Sequence, residues 1–146
     1  MTRYLLQVFL VLLVFCFALV KGGKPEKYVS TTYLFMLLAG VAFRFVTGGW
    51  SENLYGSLHA FRFAVDVGGL CAIWWVALRF DRWWTLWVGS LQLIAVLAHL
   101  LPALGISLHP QIYAIMERWP AWVALTIIGV GTAFFMRRQS PTAKNT

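Results

Sequence analysis

The sequence predicts an all-α, polytopic integral membrane bundle of five transmembrane helices with a short interfacial helix. Three observations carry this. Five apolar stretches take up most of the 146 residues. The chain is 60% hydrophobic and 12% charged, where soluble domains average roughly 25% charged. Residues 4–20, 83–101 and 119–136 hold no Asp, Glu, Lys or Arg, and each is close to the roughly 17–25 residues needed to cross the hydrocarbon core. At that depth every backbone polar group must be satisfied within the segment, which selects helices.

Span one is residues 4–20. Arg3 followed by an apolar core resembles a signal peptide, but Ala18-Leu19-Val20 puts valine where cleavage needs a small residue, so the segment reads as a retained span. Lys21-Gly22-Gly23-Lys24-Pro25 ends it, since paired glycines stop a helix and proline delays the next. Span two is residues 28–46, closed by Thr47-Gly48-Gly49. Its single charge, Arg44, lies near the end and can snorkel to headgroups. Residues 50–60 form a polar surface connector. Span three, residues 61–78, carries Arg62 and Asp66 in its first turns and runs into the charged turn Arg79-Phe80-Asp81-Arg82. Span four is residues 83–101, closed by Pro102. In residues 110–119, Ile112, Ile115, Met116 and Trp119 follow helical spacing, with Gln111, Glu117 and Arg118 off that stripe. This predicts a separate interfacial helix with Pro110 at its first position. Span five is residues 119–136, and the basic tail 137–146 reads as frayed. The expectation is one transmembrane domain over residues 1–146, with no soluble appendage.

Lys and Arg counting sets the orientation. With five spans, Lys21, Lys24, Lys27, Arg79, Arg82, Arg137, Arg138 and Lys144 share one face, and Arg3, Arg44, Arg62 and Arg118 share the other. Eight against four makes the first face cytoplasmic, with the C-terminus inside and the N-terminus outside; a bacterial inner membrane is the expected setting. A four-span alternative, in which span three does not cross, gives the same eight-to-four bias. The apolar run after Asp66 favours five. Trp74, Trp75, Trp83, Trp84 and Trp87 around the 79–82 turn, and Trp50, Trp119 and Trp122 toward the other face, read as interfacial anchors.

The formal net charge of +7 does not indicate a nucleic-acid partner, because the twelve Lys and Arg are scattered over every connector rather than gathered into a stripe. They set topology and meet anionic lipid. Cys16 and Cys71 have no partner at metal or redox spacing and read as small buried hydrophobes. HExxH, GxSxG and close paired carboxylates are all absent from the sequence. Gly68-Gly69 and Gly129-Val130-Gly131 are small-residue patches that let helices approach, within the bundle or against another protein.

Chemistry concentrates at the outer face of the five-span arrangement. Arg44, His59, Arg62, Asp66 and His99 are the candidate ligand-binding residues, with His109 and Glu117 at the same face. His59, Arg62 and Asp66 share one stripe if span three begins by Ser57, and Arg62 is the expected partner of Asp66. An ion pair that makes Asp66 tolerable in a span is one account of this cluster. A site for a lipid headgroup, quinone or small anion is another. A haem b held by His59 and His99, with Arg44 and Arg62 near its propionates, is a third; no other metal site is expected. Three functions follow: a non-catalytic accessory or assembly subunit of a larger membrane complex, with a membrane-protein partner or a homo-oligomer; binding or transport of a small amphiphile or lipid at the outer cluster; and a haem b or quinone redox subunit.

Overall fold

The computed structural model describes residues 2–46, 55–104 and 109–139. These form five helices, α1 (Thr2–Lys21), α2 (Lys24–Val46), α3 (Tyr55–Phe80), α4 (Trp83–Ala103) and α5 (Pro110–Gln139). Four stretches, Lys24–Val46, Ala60–Phe80, Trp83–Leu101 and Trp119–Arg138, are long and apolar enough to cross a membrane, and Leu5–Lys21 is apolar but shorter. The chain is an integral membrane protein built as a helical bundle. The third span, the one the four-span alternative leaves out, belongs to the long apolar set.

Each helix packs on the next, and α1 closes the ring by packing on both α2 and α5. Helix direction alternates, so Lys21, Lys24, Lys27, Arg79, Arg82, Arg137 and Arg138 gather at one end, the basic end. Contacts there tie it together. Gly23 lies so close to Phe135 that an added Cβ would stand 2.9 Å from the ring, and Tyr28 packs on Phe80 with ring centroids 5.7 Å apart. Gly22 donates its N–H to the Ala18 carbonyl at 2.9 Å. A Cβ there would collide with that same oxygen, so the α1–α2 corner requires glycine. The α3–α4 corner turns at Asp81, whose φ of 46° is left-handed, a conformation Asp tolerates better than most residues.

The interior is made of stripes at helical spacing: Val11, Val14 and Ala18 on α1; Val29 and Tyr33 on α2; Ile73, Val76 and Ala77 on α3; Trp84, Val88 and Val96 on α4; Ala124, Leu125 and Ile128 on α5. The outward faces carry larger residues, among them Phe9, Phe35, Phe45, Leu78 and Trp83. Many of the buried positions are Ala or Val, which suits a bundle held by close packing within lipid, where burial gains little. Glu26 is an exception. It is buried, with Oε2 lacking a hydrogen-bond partner among the described residues, although its place in the first turn of α2 puts the carboxylate at the positive end of the helix dipole.

Three expectations need correction. The interfacial helix is not separate: residues 110–119 are the first turns of α5, a single 30-residue helix with Pro120 inside it. Proline removes one N–H and is tolerated in membrane helices whose neighbours support the break. At about 45 Å, α5 exceeds the roughly 30 Å hydrocarbon core, so its first turns project beyond it. Cys16 and Cys71 are exposed rather than buried, and Trp84 is core rather than anchor. Lipid-facing and bundle-facing surfaces are equally apolar here, so hydrophobicity does not separate them.

The small-residue patches divide likewise. A Cβ on Gly131 would meet the Trp84 ring at 3.3 Å, whereas one on Gly129 would meet nothing within 4 Å. Gly131→Leu is therefore expected to destabilise the bundle by about 1–3 kcal/mol through overpacking, and Gly129→Leu to be neutral or stabilising. Paired equilibrium unfolding measurements in one detergent check this; equal effects would contradict the α4–α5 packing.

Candidate functional site

At the end opposite the basic end, the helices part around a cavity of about 920 Å³ to which all five contribute. Its walls are amphipathic. Leu6, Val11, Leu37, Val41, Ile115 and Leu125 supply apolar surface, and Tyr33, Arg44, Arg62, Asp66, Gln92 and His99 supply polar groups. The first turns of α5, which carry Ile115 and Trp119, form part of the lining. The continuity of α5 through Pro120 thus brings these residues to the cavity.

The polar side is an ordered network centred on Asp66. His99 Nε2 lies 3.0 Å from Asp66 Oδ2, with the imidazole almost wholly buried and the carboxylate about one-fifth exposed. A carboxylate accepts, so this contact places the imidazole proton on Nε2. Gln92 Nε2 donates to Asp66 Oδ1 and to the Asp66 backbone carbonyl, both at 3.3 Å. The Tyr33 hydroxyl donates to Gln92 Oε1 at 3.3 Å. The four side chains join α2, α3 and α4, and each hydrogen bond runs in a direction its groups permit. Gln92 and Tyr33 are buried, where a polar group without a partner would be costly.

Arg44, Arg62, Asp66 and His99, all expected as site residues, line this one cavity. From across the bundle, His99 and Gln92 meet the Asp66 carboxylate. The reason is geometric. His99 and Gln92 stand seven residues apart on one face of α4, turned toward α3, so across-helix contacts satisfy both carboxylate oxygens. Arg62 and Arg44 both line the cavity. Phe43 stacks on Phe61 with ring centroids 4.2 Å apart and planes 15° apart, which holds the last turn of α2 against α3.

His59 lies on α3, as its stripe with Arg62 and Asp66 required; its side chain, and that of Glu117, lie outside the described residues. Trp50 and Glu52 also lie outside them. His109 is exposed just before α5. Among the described residues no cluster of three or more His, Cys, Asp or Glu is placed to hold a metal. His99 presents Nε2 to Asp66, and an imidazole ligating a haem through that atom would first have to release this contact. Tyr33 and Gln92 are site residues that spacing did not single out. Each is a hydrogen-bonding side chain in the middle of an apolar span, and that is the signal by which both could have been found. The chain matches no family model, no curated protein and no solved structure.

Proposed function

We propose that this membrane protein binds a small amphiphile, headgroup toward the Asp66 network and hydrocarbon along the apolar wall. The observation that supports this is the joining of seven polar side chains, Gln7 among them, and an apolar lining in one cavity of about 920 Å³, toward the upper end of the roughly 300–1,000 Å³ range of small-molecule sites. The basic end carries seven Lys and Arg of the five helices and the opposite end four, Arg3, Arg44, Arg62 and Arg118. By the positive-inside bias the basic end faces the cytoplasm, the C-terminus lies inside, and the cavity opens toward the outer leaflet of a bacterial inner membrane. Binding, or the binding step of transport, needs no catalytic group, so the reading is non-enzymatic. A quinone belongs to the same class of ligand, with an uncharged headgroup.

An accessory subunit is the second reading. Its support is that Gly68 and Gly129 leave open surface, with no atom within 4 Å of an added Cβ, where a helix of another protein or a second copy could approach closely.

Extraction from native membranes into polymer-bounded nanodiscs, with mass spectrometry of small molecules and proteins, separates the two. One amphiphile enriched to near stoichiometry over the bulk lipid is the expected result. An amphiphile profile equal to the bulk, with a stoichiometric protein partner, would overturn the binding reading and make the chain a subunit.

A further inference from the structure

We infer that the amphiphile enters sideways from the membrane, through a mouth between the first turns of α1 and the first turns of α5, and that these turns of α5 swing on Pro120 to admit it. This inference rests on the amphiphile reading above. Exposure locates the mouth. The apolar lining residues that are also exposed are Leu6 on α1 and Ile115 and Trp119 on α5, at 51%, 53% and 64%, so the wall they form reaches the outside of the bundle. The packing of the two helices agrees. Among the described side chains none of α1 before Val11 is buried, and none of α5 before Pro120. Beyond those points both helices are packed, α1 through Val11, Val14 and Ala18 and α5 through Ala124, Leu125 and Ile128. Two other seams are closed at the same end, α2 to α3 by the Phe43–Phe61 stack and α3 to α4 by the contact of His99 with Asp66.

The rim decides what passes it. Leucine, isoleucine and an indole face lipid there, so a hydrocarbon chain crossing the rim stays on apolar surface and never meets water. Trp119 suits the headgroup zone, which on the orientation above belongs to the outer leaflet. Pro120 supplies the movement. It has no N–H to give to the Met116 carbonyl, so α5 lacks one helical bond where its exposed turns meet its packed ones, and bends most easily there.

The test uses the full chain in nanodiscs, with labelled hexadecyl phosphate as the probe and empty nanodiscs as the blank. Saturable binding is expected. In Pro120→Ala, which restores the missing bond, association and dissociation should both slow about fivefold, the factor for one net hydrogen bond, with Kd unchanged. A nitroxide on Ile115→Cys, in a chain with Cys16→Ala and Cys71→Ala, reads the surroundings of the mouth by electron paramagnetic resonance. It should collide more often with oxygen, which concentrates in lipid, than with a water-soluble nickel chelate, and less often with oxygen once hexadecyl phosphate saturates the site. This measurement keeps Pro120 in place, so it still decides if Pro120→Ala does not fold. Collisions with nickel exceeding those with oxygen would open the mouth to water and overturn lateral entry. Unchanged rates in Pro120→Ala overturn the swing of α5. Either result leaves the amphiphile reading standing where the probe binds saturably. Failure of both hexadecyl phosphate and labelled hexadecanol to bind saturably overturns this inference together with that reading.

Discussion

Gly40→Leu is expected to abolish amphiphile binding while making the protein more stable. Gly40 lies within α2 and lines the cavity, and a Cβ placed on it would meet no atom within 4 Å. A leucine side chain therefore enters open space rather than packed neighbours. Glycine inside a helix costs about 1 kcal/mol relative to a strong helix former, so the fold gains roughly that amount. The same side chain occupies volume that the ligand's hydrocarbon needs. Most cavity substitutions weaken binding and fold together, which leaves the cause ambiguous; here the two effects have opposite signs. Equilibrium unfolding and binding of labelled hexadecyl phosphate, measured on one preparation, check both. Undiminished binding would place the site elsewhere.

Gln92→Leu is expected to be the most destabilising single change in the polar network. Gln92 accepts from Tyr33 and donates twice to Asp66, and it is 3% exposed. Leucine fills similar space but removes all three hydrogen bonds, leaving the Tyr33 hydroxyl and Asp66 Oδ1 each short of a partner. Hydrogen bonds between membrane helices average about 0.6 kcal/mol, because the dissociated helices also find partners in lipid. The total loss is then about 2 kcal/mol. Tyr33→Phe removes a single bond of the set and should cost about 0.6 kcal/mol. The ratio of the two effects is the informative quantity. Equal losses from both variants, measured by reversible unfolding in mixed micelles, would show that Gln92 is not the centre that joins α2 to α3.

The helices were legible because their limits are chemical. Gly22-Gly23 stops α1, and Arg79 through Arg82 mark the α3–α4 corner, whatever the tertiary structure. The rotation of each helix was not legible. In lipid the outward face is as apolar as the inward one, so Cys16, Cys71 and Trp84 gave no sign of which way they point. The same limit applies to the site. Arg44, Arg62, Asp66 and His99 stood out because ionisable groups are costly in spans. Their convergence depends on how α2, α3 and α4 turn toward one another. Spacing within one helix pointed from Asp66 to Arg62; the contacts that His99 and Gln92 of α4 make to the same carboxylate lie beyond local periodicity. The seven-residue separation of Gln92 and His99 was the available hint that α4 presents a polar face. The stripe over 112–119 suggested a helix of its own, yet α5 continues from it through Pro120.

The most direct test of the central claim is photocrosslinking with a single-chain fatty acid that carries a diazirine along its hydrocarbon, followed by peptide mapping of the adducts. The account predicts adducts concentrated on cavity residues such as Leu37, Val41 and Ile115, and lost in Gly40→Leu. Adducts spread evenly over lipid-facing residues such as Phe9, Phe35 and Leu78, unchanged by Gly40→Leu, would contradict it.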